Sequence, residues 1–156
     1  FELPQLSALK DSVQVELTDE GLQIQLLDQS GASLFPPGST RLTRHAELLL
    51  LLVAKMIGPM PNEITISGHT DAASFSDSQG RTNWELSLER ANAARRELLK
   101  HEVTGKRIDS VVGFADKIPL LVDNPTSPQN RRISIVLLRD KIEIKKKTPP
   151  KPPRVL

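Results

Sequence analysis

Cysteine and tyrosine are absent from the 156 residues, and the aromatic side chains amount to four Phe and one Trp. Without cysteine there are no disulfides and no thiolate metal sites, and the redox compartment stays open. With so few aromatics, the core must be aliphatic. The three histidines, His45, His69 and His101, lack partners at metal-ligand spacing, so neither a zinc site nor any cofactor is implied. The longest apolar run, 48–54, has seven residues, where a membrane-spanning helix needs about 20. No signal peptide is visible, and a start at Phe1 reads as a trimmed chain.

Two catalytic patterns are also missing. No Gly-rich loop precedes a helix, which excludes a phosphate cradle. Ser67, His69 and Asp71 could be picked as a hydrolase set, but positions i, i+2 and i+4 at a strand end form no nucleophile elbow and offer no identifiable oxyanion donor. The chain is expected not to be an enzyme.

The formal net charge of +2 conceals an uneven distribution. From Arg139 onward there are seven Lys and Arg against two Asp and Glu, which leaves residues 1–138 at −3. The prolines and mutually repelling lysines of KIEIKKKTPPKPPRVL read as a disordered tail. No aromatics interleave with those lysines, so nucleic acid is not an expected partner. The division expected is a lead-in over 1–12, one domain over 13–138 and the basic Pro- and Lys-rich tail over 139–156.

Within the domain, Val13, Val15 and Leu17 alternate, Asp19-Glu20-Gly21 turns, and Leu22, Ile24 and Leu26 alternate again, the pattern of a β-hairpin. Pro36, Pro37 and Gly38 punctuate a loop with Leu34 and Phe35 at the core's edge. Thr43 caps a helix that Gly58-Pro59 stops at Ile57, apolar around much of its girth and therefore buried on the sheet or on another subunit. Strands are expected over 63–67, 110–115 and 132–138, and a second helix from Asn83, with Thr82 and Glu85 at capping-box spacing. The order β-β-α-β-α-β-β predicts an α+β fold, a two-layer sandwich with the helices on one face of a mixed sheet.

The stretch from Ser67 to Lys100 concentrates the chemistry. Gly68 lets the backbone turn, leaving His69, Thr70 and Asp71 at a strand end, and the polar loop 72–81 is a candidate binding rim. On the second helix, Trp84, Leu88, Ala91, Ala94 and Leu98 make an apolar stripe edged by Asn83, Ser87 and Arg90. Packing that stripe on the strand sets Asp71 and Arg90 across a shallow groove, an arrangement that suits a ligand carrying both ammonium and carboxylate. The plainer readings are a turn-forming Asp71 and an Arg90 that snorkels from the core edge. Arg95 falls near the middle of the stripe, an awkward place for a charge unless it snorkels, pairs, or the stripe is misdrawn.

The ordered set Gly68-His69-Thr70-Asp71, Asn83-x-x-Leu86-Ser87-x-x-Arg90-Ala91, Gly113 and Asn130-Arg131-Arg132 resembles the OmpA-like peptidoglycan-binding family. Gly21-Leu22-Gln23-Ile24 and Phe35-x-x-Gly38-Ser39 add a similarity to its flagellar stator members, and the resemblance covers about 13–138. It implies a non-catalytic domain in the bacterial periplasm, part of an inner-membrane protein, that anchors a motor stator to the wall and supports motility. By the same resemblance, Asp71 and Arg90 hold the zwitterionic end of diaminopimelate, and Thr70, Asn83, Leu86, Asn130 and Arg131 match further groove positions. The implied partners are peptidoglycan, a second copy of the chain, and a stator A subunit met through a membrane helix outside these residues, without which the chain would not conduct ions. The alternative is an outer-membrane tether of the OmpA or Pal type, distinguished by what precedes Phe1.

Overall fold

The structure, a computed structural model, describes residues 9–29 and 31–139. The expectations for the lead-in before residue 9 and for the tail after Arg139 lie outside the described residues. Five strands and two α-helices organise what is described: β1 Val13–Leu17, β2 Gly21–Leu27, α1 Arg44–Ile57, β3 Ile64–His69, α2 Asn83–Lys100, β4 Ile108–Gly113 and β5 Arg132–Leu138. The sheet runs in the order β1-β2-β5-β3-β4. All neighbours are antiparallel except β3 and β4, which are parallel and joined through α2, the crossover a parallel pair requires. This is the expected α+β sandwich on a mixed sheet, with β3 reaching two residues further and β4 beginning two residues earlier than the alternation suggested.

Strand periodicity places the core. In register, Ile24 of β2 faces Ile135 of β5, which faces Ile66 of β3, and all three are fully buried. The opposite face of these strands is polar: Gln23 Nε2 donates to Ser134 Oγ at 3.2 Å and Ser110 Oγ to Thr65 Oγ1 at 3.1 Å. Against the apolar face lies α1, burying Ala46, Leu49, Leu50, Val53, Ala54 and Ile57. Its hydrophobic girth is therefore mostly core, with Leu52 and Met56 left exposed. Thr43 Oγ1 caps it by accepting from the Ala46 amide, and the Thr82/Glu85 box caps α2.

The stripe drawn for α2 needs correction. Trp84 and Leu88 are 52% and 40% exposed, while Ser87, Arg90, Ala91, Ala94 and Leu98 are buried. The cause is close approach. A Cβ on Gly68 would collide with the Ser87 carbonyl oxygen, and one on Gly113 would sit 2.6 Å from the Leu88 amide nitrogen. Small residues line the contact because the helix backbone lies almost on the strands, and bulky Trp84 and Leu88 are turned out of it. The same rotation resolves Arg95, which is half-buried at the side with Nε on Asn92 Oδ1 at 3.1 Å. The hairpin also differs from its simple pattern: Val15 and Leu17 share the face of Ile24 but are 53% and 76% exposed, because β1 is an edge strand.

Candidate functional site

Three central strands change character at one end of the sheet. β2 ends at Leu27 and is followed by Asp28, β3 ends at His69 and is followed by Thr70-Asp71, and β5 is entered through Asn130-Arg131. Antiparallel pairing brings these ends together: Leu27 and His69 both lie opposite Arg132, and the Asp28 amide donates to the Arg131 carbonyl at 3.1 Å.

Arg131 bridges the two acids. Its Nε donates to Asp28 Oδ2 at 2.7 Å and its Nη1 to Asp71 Oδ2 at 2.6 Å. Each carboxylate uses its other oxygen to fix the local chain. Asp28 Oδ1 accepts from the Leu34 amide at 2.6 Å and Asp71 Oδ1 from the Ala73 amide at 2.9 Å. Although partial burial works against the charge on Arg131, the hydrogen bonds it donates to both acids and their charges outweigh it and raise its pKa.

Arg90 departs from its expected setting. It is buried, stacked 4.8 Å from the Phe35 ring centroid, with Nε donating to the Ser39 carbonyl at 2.8 Å and Nη2 to the Pro36 carbonyl at 3.3 Å. It secures the 36–39 loop and is not a freely accessible charge. Burial lowers its pKa to about 10, opposed first by Asp28, with Arg131 pushing down and Asp71 up.

A cleft of about 350 Å³ opens over these groups. Thr70, Asp71, Asn83, Leu86, Arg90 and Arg131, six of the seven expected site residues, line it. Asn130 does not: it is fully buried, with Oδ1 accepting from the Leu121 amide at 2.7 Å and Nδ2 donating to the Asn124 carbonyl at 2.8 Å, and it holds the loop that carries Arg131. Asn83 Nδ2 donates to the Ala73 carbonyl at 3.0 Å, tying the start of α2 to the polar loop. That loop contributes Ala73, Ser74 and Phe75 to the wall. The site residues named from the sequence did not include Asp28, Phe35, Gly38 or Phe75, although Phe35 and Gly38 belong to a motif shared with the family and Phe75 to the expected rim. No motif or spacing marks Asp28 in the sequence, and only strand pairing reveals Arg131 beside it.

His69 lies beside the cleft and has no access to it as a base. Its ring stacks on Phe114 with centroids 5.2 Å apart, and burial, then the Arg132 charge, lower its pKa to about 3. Ser67 Oγ does approach His69 Nε2 at 3.2 Å. The relay stops there, because Asp71 is engaged by Arg131 and Ala73, and the buried His69 Nδ1 meets no hydrogen-bonding partner among the described residues.

The family resemblance paired Asp71 with Arg90, whereas here Asp71 is paired with Arg131 at a strand end, beside a helix carrying Asn83, Leu86 and Arg90. The sequence profile of the OmpA family matches residues 34–133. The chain belongs to the OmpA family. As an OmpA-family domain it is not an enzyme. It is 37% identical to Motility protein B of Escherichia coli (strain K12) over 141 residues, covering 90% of this chain and 46% of that protein. The chain thus spans about half the length of this relative. Among solved structures, the periplasmic domain of Helicobacter pylori MotB superposes with a TM-score of 0.74 at 20% identity, over 87% of this chain and 85% of that one. The cell wall anchor of the T6SS from Pseudomonas aeruginosa gives 0.69 at 21% identity, over 87% and 97%. These two likenesses establish the OmpA-family fold.

Proposed function

We propose that this domain binds peptidoglycan and anchors a flagellar motor stator to the cell wall, as the periplasmic part of a bacterial inner-membrane protein. The observation that carries the reading is the charge-balanced cleft, with Asp71 and Arg131 on one side and Arg90 on the other, in a chain similar to a motility protein over 90% of its length. Two carboxylates and two guanidiniums around one opening favour a zwitterion over a simple anion or cation. Thr70, Asn83 and Leu86 complete the wall, and Asn130 acts from behind it.

Co-sedimentation with purified sacculi tests the reading. Asp71→Asn keeps the shape and the Ala73 tether, and is expected to weaken binding roughly ten- to hundredfold, the equivalent of about 1.5–3 kcal/mol for one charge-assisted hydrogen bond. Arg90→Lys, which keeps the charge but loses the fork, is a better second variant than Arg90→Ala, because Arg90 also holds the 36–39 loop. Asp71→Asn pelleting with sacculi as fully as the unsubstituted chain would remove the proposal.

A stator anchor works as a pair, and the body's net charge of −3 presents little repulsion between copies. The exposed Leu52 and Met56 of α1 are the proposed contact. Self-association is expected at micromolar affinity or weaker without a membrane helix to raise the effective concentration. Analytical ultracentrifugation over a wide concentration range decides between this and a strict monomer. The A subunit of the stator would be met outside these residues.

A further inference from the structure

The sheet has two edges, and only one of them is protected. On β4 an inserted Asp109 breaks the pairing register with β3, and the α2 backbone at Leu88 closes over Gly113 at the strand's end. β1, the sequence V-Q-V-E-L, pairs with β2 in unbroken register and contains no Pro, Gly, Lys or bulge. Half of the large apolar side chains left exposed among the described residues stand on that side of the molecule: Val15 and Leu17 of β1, Leu52 and Met56 of α1, and Met60. His45, Leu52 and Met56 share one flank of α1, and His45 Nε2 lies 2.9 Å from the hydroxyl of Ser12, the residue before β1. Leu17 and Met60 line one groove at the other end of the strand. Strand and helix flank therefore form one apolar shelf.

We propose that β1 is the interface for a second copy of this chain: the two β1 strands pair antiparallel about a two-fold axis at Val15 and join the two sheets into one. The interface rests on the self-association of a stator anchor and names the surface that carries it.

The backbone is set for this pairing. The Leu27 amide donates to the Ser12 carbonyl at 2.8 Å, and the amides of Thr18 and Gly21 donate to each other's carbonyls at 2.8 and 3.2 Å. Alternation then gives the amides of Gln14 and Glu16 to β2 and turns those of Val13, Val15 and Leu17 to the outer edge. Side chains choose the register. Centred on Val15, Val13 faces Leu17 of the second copy and Gln14 faces its Glu16, so apolar meets apolar and the one carboxylate meets an amide. The three outward residues then exchange about six hydrogen bonds with the second copy. A shift of two residues one way sets Glu16 against its own copy, and the same shift the other way leaves Leu17 beyond the paired strand.

The axis stands perpendicular to the joined sheet, so both helix layers lie on one side and the two α1 flanks meet over the seam. Leu52 and Met56 cover Val15 and Leu17 there. Because the strands run antiparallel, the charged ends of the two sheets point in opposite directions, and the pair offers its clefts at two separate points of the wall.

Sedimentation velocity of the whole chain over a wide concentration range, repeated with Val15→Pro, provides the test. Proline removes the outward amide at the centre of the seam and leaves the bonds to β2 in place. It is expected to weaken the dimer at least tenfold with little change in the urea midpoint. The chain has no cysteine, so Val15→Cys places a single thiol at the axis. Incubation with oxidised glutathione is expected to link two copies of Val15→Cys by a disulfide, and to leave Leu88→Cys, on the other side of the molecule, unlinked.

Association of Val15→Pro as tight as that of the unsubstituted chain overturns the strand pairing; if Met56→Lys is weakened in the same assay, self-association through α1 alone survives. Leu88→Cys linking as readily as Val15→Cys overturns the pairing as well. A strict monomer at the highest concentration removes both this interface and the self-association beneath it. Should Val15→Pro not fold, the comparison of the two cysteine variants decides by itself.

Discussion

The middle of the sheet and its charged end are built from the same three strands and follow opposite rules. In the middle, Ile24, Ile135 and Ile66 meet in one row and are held by exclusion from water. At the end, four or five residues away, Asp28, Arg131 and Asp71 meet at 2.6 to 2.7 Å and are held by direction and charge. The first arrangement tolerates apolar side chains of about the right volume, whereas the second depends on the identity of individual atoms. Stability and recognition are thereby separated along one set of strands, with Gly68 at the boundary.

The strongest way to break this separation is at the boundary. Gly68→Ala would drive a Cβ into the Ser87 carbonyl and lift α2 from the sheet, at an expected cost of about 3 kcal/mol or more. Because α2 carries Asn83, Leu86 and Arg90 to the cleft, sacculus binding should fall with stability, measured by urea unfolding beside sedimentation. A variant that is destabilised but binds normally would show that α2 does not set the cleft. In the middle row, Ile135→Ala should cost roughly 2–4 kcal/mol in the same urea titration while the folded fraction binds sacculi as before. Lost affinity in folded protein would mean that the two regions are coupled.

A third experiment uses acid. His69 is neutral in the folded protein, with a pKa of about 3 against an ordinary value of 6.5. The unfolded chain therefore takes up a proton first as pH falls. The stability associated with neutral His69 is complete above about 6.5 and is lost as pH falls toward 3, at up to ~1.4 kcal/mol per pH unit. His69→Gln should flatten the dependence of unfolding free energy on pH between 4 and 6, whatever it does at pH 7. An unchanged slope would place the acid sensitivity elsewhere. The smallest effect is expected at Asn83→Ala, which removes the tether to the Ala73 carbonyl. Stability should fall by no more than about 1 kcal/mol, and sacculus binding by a few-fold.

Much of this molecule was legible without coordinates because local physics decided it. Alternation in Leu22, Ile24 and Leu26 defined β2, and Thr43 and the Thr82/Glu85 box marked where both helices begin, since caps depend on residues three or four positions apart. The motif residues Asp71, Asn83, Leu86 and Arg90 were recognisable by order and spacing, and they do line one cleft. Which face α2 buries was not legible, because it is set by how closely a helix can approach Gly68 and Gly113 on two different strands. Asp28 and Arg131 stand 103 positions apart, and their ion pair exists only because β2 and β5 are neighbours in the sheet. The sequence by itself determined the elements, the caps and the composition of the site. The tertiary structure decided which charge faces which, since electrostatic partnership depends on distance in space and the chain supplies only distance along itself.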